Sequence, residues 1–404
     1  MAATAPATAF SRIGQLAAQR RVHEAFGWLH LHEQQIMSWQ QELVMVAAPP
    51  FSERPRAEWL CGKFRELGLE DVELDGIGNA VGVYRGEASG ECVLLSAHID
   101  TVFPAGTPID ALLNGTRLIA PGACDNGAGV TALLAIAAAL RHAEIRPACD
   151  LIFIGNVGEE GEGNLRGIRY FYEHSPWRDR VGAHLVLDGA GHEVAVTQAL
   201  GSKRYLVTVT GPGGHSWTDS ARPNPVIALS RAIARLGDLD LPAKPRTTLN
   251  VGTIEGGTSV NAIPEHVTAR FDTRSTDAEQ LIRLEVEIHR AVEDAVIEVN
   301  ASVKKEHTLR FDIAMIGDRP AGVLTEHAAV FENLRAVDRH LSIRTETRIA
   351  STDANIPLSL GVPALSLGAG GDGGGIHTRN EWYDARGREL GLRRILLLLL
   401  ACCS

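Results

Sequence analysis

The spacing of apolar residues predicts that helices and strands alternate along the first half of the chain. Between residues 21 and 47 apolar side chains recur every three or four positions, which predicts a helix that Pro49 and Pro50 end. The segment 126–141 is almost wholly apolar and predicts a helix buried on all sides. Further helices are predicted at 53–67 and 163–174, and strands at 71–75, 79–84, 92–97, 149–156 and 183–188. This alternation predicts an α/β domain with a mainly parallel sheet and helices on both of its faces.

The pattern changes near residue 200 and changes back near residue 312. The segment between them has the order β-α-β-β-α-β, the split arrangement of a ferredoxin-like α+β domain. Its elements are predicted at 203–211, 223–236, 247–255, 266–274, 277–298 and 301–311. The α/β alternation then resumes with a helix at 323–340, strands at 343–348 and 363–367, and a helix at 384–401. We therefore expect a large discontinuous domain, 1–201 with 312–404, and a smaller inserted domain, 202–311.

Composition and charge exclude several classes of protein. Asp and Glu outnumber Lys and Arg by 49 to 39, which argues against nucleic acid as the main partner and against a basic membrane-binding patch. The longest apolar runs, 130–140 and 395–403, are shorter than the ~20 residues that span a bilayer. The amino-terminal segment lacks the order of a secretory signal, and the six cysteines include no Cys-x-x-Cys pair or disulfide framework. We expect a soluble cytoplasmic protein that does not associate with membranes.

Polar side chains follow the predicted parallel strands, at the sheet edge where open α/β folds bind their ligands. These side chains are His98, Asp100, Asp125, Glu159, Glu160, Asp188 and His377. Taken singly, these residues have structural explanations that need no metal: a capped turn for the His-x-Asp pair, solvated charge for the Glu-Glu pair, and an N-cap for Asp125. Carboxylates gathered at one edge, however, repel one another unless a cation neutralises them. The combination favours a metal site.

Two histidines with several carboxylates and no cysteine suit zinc or a similar divalent ion. The set contains more ligands than one tetrahedral ion needs, so it fits two ions that share a bridging carboxylate. Such pairs lower the pKa of a bound water and polarise a carbonyl group, which is hydrolytic chemistry. One glutamate should then stay unligated as a general base.

Seven segments, in chain order, resemble metallopeptidase family 20, which includes peptidase T, glutamate carboxypeptidase, acetylornithine deacetylase, succinyl-diaminopimelate desuccinylase and the aminoacylases. The segments are SAHIDT, GACDNGAG, NVGEEGEG, VLDGAG, GPGGHSW, GGTSVNAIP and GGIHT. The resemblance covers nearly the whole chain beyond residue 35. One departure is the sequence after Asp125: many members have Lys-Gly-Gly there, whereas this chain has Asn-Gly-Ala-Gly. That form looks more like the peptidase-T type than the deacetylases.

The resemblance implies two divalent metal ions per chain, zinc in the first place, with cobalt and manganese as alternatives. His98 and Asp188 would bind one ion, Glu160 and His377 would bind the other, and Asp125 would bridge the two. It also implies a cis peptide bond after Asp125.

The remaining roles also follow from the resemblance. Glu159 would be the general base, and Asp100 would hydrogen-bond the second ring nitrogen of His98. In the inserted dimerisation or lid domain, His215 would stabilise the oxyanion across a homodimer interface. Asn261 would be a second polar contact to the substrate, and Arg274 would bind a substrate carboxylate. A surface ion pair is an equally good interpretation of Arg274.

The function that this implies is hydrolysis of an amide bond in a small peptide, by an aminopeptidase, dipeptidase or tripeptidase. An N-acyl-amino-acid deacylase is the alternative, because it uses the same metal chemistry. A nucleotide-binding protein is disfavoured, since the glycine-rich segment 158–163 is acidic and would repel phosphate. A non-catalytic binding or assembly protein on the same fold should have lost a ligand or the base, whereas all six positions are present here.

Overall fold

The structure is a computed structural model that describes residues 9–301 and 303–403, except for the side chain of residue 306. The helices are α1 Ala9–Ala17, α2 Arg20–Leu31, α3 Glu33–Met45, α4 Arg54–Glu66, α5 Gly127–His142, α6 Arg166–His174, α7 Pro225–Gly237, α8 Ala278–Asn300, α9 Ala329–Leu341, α10 Asn355–Ser359 and α11 Arg388–Cys402. The strands are β1 Glu70–Leu74, β2 Ala80–Tyr84, β3 Ala88–His98, β4 Leu112–Asn114, β5 Arg117–Ile119, β6 Cys149–Asn156, β7 Val181–Leu187, β8 Val194–Ala199, β9 Gly201–Thr210, β10 Gly214–His215, β11 Thr247–Gly256, β12 Ala262–Ile263, β13 His266–Ser275, β14 Arg310–Arg319, β15 Gly322–Val323, β16 Glu346–Ala350, β17 Ala364–Leu367, β18 Asp372–Gly374 and β19 Trp382–Asp384.

The chain forms two compact units. The first comprises the chain up to Ala199 and from Val323 onward, and the second comprises Leu200–Gly322. The second boundary therefore lies later than the predicted 311/312, which falls inside β14. The reason is that the strand predicted at 301–311 begins only at Arg310, after a short 3₁₀ turn at Lys305–His307.

The first unit contains a nine-stranded sheet in the order β1-β2-β6-β3-β7-β17-β8-β15, with β16 also paired to β8. Its centre is parallel, because β3 pairs in parallel with β6 and β7, and β7 with β17. Antiparallel pairs lie outside this centre, between β1 and β2, β2 and β6, and β17 and β8. This sheet confirms the predicted α/β class.

Alternate residues of the central strands pack against helices on opposite faces of this sheet, as the pleat requires. On β3, Val93 and Leu95 join the core that includes α5 and α11. Cys92 and Leu94 join a second core that includes Ile168 of α6. Both faces of the parallel strands are thus covered, and their carboxyl ends stay open at one edge.

The second unit has a four-stranded antiparallel sheet in the order β11-β13-β9-β14. Helices α7 and α8 contribute apolar residues to its core, with a spacing of three and four residues on α8 at Ile288, Ala291, Val292 and Ala295. Apart from the two-residue strands β10 and β12, the order along the chain is β9-α7-β11-β13-α8-β14, which confirms the predicted ferredoxin-like pattern.

The helix predicted over 21–47 is in fact two helices. Helix α2 ends at Leu31 and α3 begins at Glu33, with His32 between them at φ −107° and ψ 22°. The apolar spacing continues across this break, so the hydrophobic pattern alone gives no signal for it.

Candidate metal centre

The first histidine of the site is the last residue of β3, and its ring is fixed by a backbone contact. Nδ1 of His98 lies 3.1 Å from the carbonyl oxygen of Asp100, to which it donates. This bond leaves Nε2 facing the cluster, where a metal ligand needs its lone pair. The predicted contact with the Asp100 carboxylate is longer, at 3.6 Å from Nδ1 to Oδ1, so the carbonyl group is the direct hydrogen-bond partner.

The Asp100 carboxylate instead holds the two adjacent glutamates. The backbone N–H of Glu159 donates to Oδ1 of Asp100 at 3.0 Å, and that of Glu160 donates to Oδ2 at 2.8 Å. Gly158 precedes them with φ 66°, a left-handed conformation that favours glycine. Asp100 therefore ties the turn after β6 to the end of β3.

Asp125 lies between the two histidines. Its Oδ1 is 3.0 Å from Nε2 of His98, and its Oδ2 is 3.2 Å from Nε2 of His377. Nε2 of His377 is also 3.0 Å from Oε1 of Glu160. The peptide bond between Asp125 and Asn126 is cis, as the resemblance implies.

The loop that carries Asp125 is fixed by Asn126, the N-cap of α5. The Asn126 side chain accepts from the N–H of Gly129 at 3.0 Å and donates to the carbonyl oxygen of Leu187 at 2.8 Å. It also accepts from the N–H of Gly189 at 3.1 Å. The start of α5 is thereby joined to the residues on either side of Asp188. The N-cap role considered for Asp125 thus belongs to Asn126.

Three groups of side chains have ligand atoms that all lie within 4.8 Å of one another. They are His98 with Asp125 and Asp188, Asp125 with Glu160 and His377, and His98 with Glu159 and Glu160. The first two are the two ligand sets that the resemblance implies, and they share Asp125. The structure therefore brings together all five predicted ligands and Glu159.

Burial and mutual repulsion control the charge of this cluster. Burial, with Asp125 and Glu159 nearby, raises the pKa of Glu160 to about 7. Burial and Asp125 raise the pKa of Asp188 well above its usual range. Hydrogen bonding to Asp125 raises the pKa of His377 to about 9. Without a cation, protons on these groups would have to offset the negative charge of the cluster.

The donor set fits divalent metal ions. It offers imidazole nitrogens and carboxylate oxygens but no thiolate, a combination that suits zinc and similar ions. A cation would also favour the ionised form of Glu160 and Asp188, whose burial otherwise disfavours it. These residues could therefore bind metal.

Two further buried carboxylates near the site were not predicted from the sequence. Oε1 of Glu381 accepts from the backbone N–H groups of Cys124 and Asp125, both at 2.7 Å. Oδ2 of Asp353 accepts from Nδ2 of Asn156 at 2.7 Å, and burial with the neighbouring Glu159 raises the pKa of Asp353 to about 7. Glu381 is four residues beyond His377, but no local pattern in the sequence distinguishes it from a surface glutamate.

The second unit holds the other three predicted residues. His215 on β10 and Asn261 next to β12 are neighbours, because the N–H of Ser216 donates to the carbonyl oxygen of Asn261 at 3.0 Å. Nδ1 of His215 accepts from the N–H of Trp217 at 3.2 Å. The neutral ring then carries its proton on Nε2, as a donor. Arg274 forms an ion pair with Asp272 at 2.8 Å, so the surface ion-pair interpretation describes its contact here.

Comparison with known proteins gives the same fold. The chain is 24% identical over 369 residues to the uncharacterized protein YqjE of Bacillus subtilis, covering 87% of this chain and 94% of YqjE. A tripeptidase from Staphylococcus aureus superposes with a TM-score of 0.76 at 22% identity, over 92% of this chain and 98% of that one. The Bacillus subtilis YxeP protein, described as a dinuclear metal binding peptidase, superposes with a TM-score of 0.69 at 13% identity, over 92% and 98% of the two chains.

The family profile described as Peptidase family M20/M25/M40 matches residues 94–401. That range contains every predicted ligand, Glu159, and the whole second unit. Homologues in the family are hydrolases of amide bonds. The helices of the described residues include none that is long and apolar enough to cross a membrane. The chain belongs to peptidase family M20/M25/M40 and is an enzyme with amidohydrolase activity.

Proposed function

We propose that this enzyme cleaves an amide bond of a small peptide, as an aminopeptidase, dipeptidase or tripeptidase. The observation that carries the proposal is the position of Asp125, which has one oxygen on His98 and the other on His377. Asp188 joins His98 and Asp125 in one group of potential ligands, and Glu160 joins Asp125 and His377 in the other. Two divalent ions, most simply zinc, would therefore share Asp125. Cobalt or manganese would suit the same donors.

Bound there, divalent ions would supply positive charge that lowers the pKa of water and polarises the scissile carbonyl. The protein would supply the proton transfer. Glu159 is buried beside the cluster and its backbone is fixed by Asp100. Its carboxylate would take a proton from the attacking water and deliver it to the nitrogen of the leaving amine.

The second unit would contribute polar contacts to the substrate. The proton on Nε2 of His215 makes that ring a donor suited to a developing oxyanion, and Asn261 lies beside it. Arg274 would bind a substrate carboxylate by exchanging its partner Asp272 for it.

We further propose a homodimer formed through the second unit. In the part of the chain that the structure describes, β11 pairs only with β13 and forms an edge of the sheet. Ile254 on this strand has 58% of its surface exposed. A long, exposed edge strand with apolar residues is suited to pairing with a second chain.

The test is a substrate panel with purified protein after chelator treatment. Dipeptides, tripeptides and N-acetyl or N-succinyl amino acids would each be incubated with zinc, cobalt or manganese added separately. Hydrolysis of free peptides that depends on added metal supports the proposal, and elemental analysis should approach two metals per chain. Preference for the N-acyl amino acids would establish the deacylase alternative. Full activity of the metal-free protein would refute the mechanism.

A further inference from the structure

The backbone of His215 is held by one carboxylate of the second unit. Asp219 lies four residues beyond His215, in the segment between β9 and α7. The backbone N–H of His215 donates to Oδ2 of Asp219 at 2.8 Å, a bond that the negative charge strengthens. The backbone N–H of Asp219 donates in turn to the carbonyl oxygen of His215 at 2.9 Å. Both backbone polar groups of His215 are therefore bound by Asp219.

Arg222 holds this carboxylate by its other oxygen. Nη2 of Arg222 lies 3.2 Å from Oδ1 of Asp219, and Nη1 donates to the carbonyl oxygen of Gly213 at 2.9 Å. The guanidinium group, a planar fork of donors, thus joins Asp219 to the residue two positions before His215. Each oxygen of the Asp219 carboxylate has its own partner.

Gly214 allows the carboxylate to approach this closely. Its φ of 152° is a conformation that favours glycine. A Cβ atom on residue 214 would lie 2.8 Å from Cβ of Asp219 and 2.9 Å from its Oδ2. Nonbonded carbon atoms prefer a separation of about 3.5–4.0 Å, so any larger residue would displace Asp219.

The ring of His215 is held on the same side as its backbone. Nδ1 accepts from the N–H of Trp217 at 3.2 Å, which leaves Nε2, with its proton, as the nitrogen that can donate to a substrate. His215 is exposed, and an exposed side chain changes rotamer rapidly unless bonds fix it. The contacts with Asp219 and Trp217 therefore restrict the directions in which Nε2 can point.

We propose that Asp219 is a positioning residue for His215, which fixes its backbone so that Nε2 of the ring meets the developing oxyanion. This inference rests on the role of His215 in the proposed function. An oxyanion donor stabilises the transition state best when it is in place before the charge develops. A misplacement of about 1 Å can lower a rate by about 10²-fold. Arg222 supports the same geometry by holding Asp219.

The experiment is a double-mutant cycle on the full-length enzyme with metal bound, using the amide substrate that it hydrolyses fastest. His215→Ala should lower kcat by about 10²–10³-fold, the usual contribution of one oxyanion donor. Asp219→Ala should lower kcat by about 10–10²-fold. KM should change little, because the oxyanion contact forms only in the transition state. In protein that already carries His215→Ala, Asp219→Ala should have little further effect.

Asp277→Ala is the matched control. Asp277 also accepts from a backbone N–H at 2.8 Å, that of Glu279. It lies beyond the opposite end of β9, because Ser275 pairs with Gly201 there. This variant removes a similar carboxylate–backbone bond from the same unit, and it should leave kcat unchanged.

Asp219→Asn tests the hydrogen bond with a side chain of the same shape. It keeps an oxygen that can accept from the N–H of His215 but loses the ion pair with Arg222, so its kcat should lie between those of wild type and Asp219→Ala. It also provides the comparison with wild type if Asp219→Ala does not fold. An Asp219→Asn kcat as low as that of Asp219→Ala would contradict the role of the hydrogen bond.

The cycle separates failure of this inference from failure of the proposed function. Wild-type kcat in Asp219→Ala, with the expected loss in His215→Ala, would overturn the inference and leave the role of His215 in place. Equal losses from Asp219→Ala with and without His215 would also overturn it, since a merely structural role acts in both backgrounds. Wild-type kcat in His215→Ala would refute the role of His215, and this inference with it.

Gel filtration of each variant tests whether Asp219 acts through assembly. All variants should elute at the volume of the wild-type protein. A loss of kcat in Asp219→Ala that accompanies a change in elution volume would assign Asp219 to subunit contacts, and would overturn its role in positioning His215.

Discussion

At the scale of single residues, Asp125 connects the two halves of the candidate metal centre. Its two carboxylate oxygens contact different histidines, and its backbone N–H is bound by Glu381. A carboxylate that serves two ions is fixed in position by the residues that hold its backbone. Glu381 therefore helps to position Asp125 through its backbone.

Glu159 and Glu160 are adjacent, but we predict that substitutions at the two positions have different effects. Glu160→Gln should lose metal from one site, because Oε1 of Glu160 lies 3.0 Å from Nε2 of His377. Glu159→Gln should keep both metals and lose turnover by about 10²–10⁴-fold, the usual contribution of a general base. Metal analysis and kcat, measured on the same preparations, check this. Metal loss in the Glu159 variant with full occupancy in the Glu160 variant would show that the roles are reversed.

Glu381 is predicted to be a positioning residue for Asp125. Glu381→Leu removes the oxygen that accepts from the N–H groups of Cys124 and Asp125, so metal affinity should fall by about 10–100-fold. Glu381→Gln keeps an acceptor oxygen and should lose much less, which makes it the matched control. Competition with a chromogenic chelator measures both. Equal affinities of the two variants would contradict the hydrogen-bonding role.

At the scale of elements, the parallel strands bring distant residues to one edge. His98 is the last residue of β3, and Glu159 and Asp188 follow β6 and β7, the strands on either side of β3 in the sheet. The loop before α5 adds Asp125, and the loop between β18 and β19 adds His377. Such strands cannot slip in register without moving their ligands, so stability of the sheet and integrity of the centre are coupled.

The interior of β7 gives a prediction about pH. His184 is buried there, with Nε2 2.8 Å from Oγ of Ser96 and Nδ1 3.1 Å from the hydroxyl of Tyr172. Burial lowers the pKa of His184 to about 3, from an ordinary value of 6.5. Between these values the unfolded chain binds a proton that the native chain does not. His184 therefore does not lower the free energy of unfolding above about pH 6.5. Below that pH the free energy of unfolding decreases as the pH falls, by at most about 1.4 kcal/mol per pH unit.

Urea unfolding of metal-free protein between pH 7 and pH 5 measures this effect. His184→Gln keeps hydrogen-bonding groups but does not titrate, so its free energy of unfolding should fall less steeply with decreasing pH. Other titrating groups are common to both proteins and cancel in the difference. Identical slopes would mean that His184 is not the group responsible.

The sequence predicted most elements because local patterns determine them, and it missed those that distant pairing determines. Helix α5 is apolar throughout and was predicted within a residue or two of its observed ends. The strand β14 was predicted too early, since its register is set by pairing with β9, from Arg310 opposite Thr210 to Arg319 opposite Ser202. The predicted ligands were identified from their place near the ends of parallel strands, whereas Glu381 and Asp353 make contacts that the sequence does not show.

At the scale of the whole molecule, the two units divide the predicted functional residues between them. All five predicted ligands and Glu159 belong to the first unit, and His215, Asn261 and Arg274 belong to the second. The second unit has its own apolar core, which includes Tyr205 and Phe271. A unit with a separate core can form a dimer interface without disturbing the ligands.

We predict that His215 serves the active site of the partner chain in the proposed homodimer. Glu159→Ala and His215→Ala should each be nearly inactive as homodimers. In a mixed dimer, the His215→Ala chain keeps its own Glu159 and receives His215 from its partner, so one of the two sites is complete. With random pairing half of the dimers are mixed, and roughly a quarter of wild-type activity should return.

The control for this experiment is a mixture of the same variants that have not exchanged subunits, which should stay inactive. Differently tagged chains, purified in tandem after co-expression, establish that mixed dimers have formed. If His215 served its own chain, every site in the mixture would lack either the base or the histidine, because each chain carries one of the two changes. Tandem-purified mixed dimers without activity would therefore rule out the role in trans. Activity near one half of wild type in that purified fraction, where every dimer has one complete site, would support it.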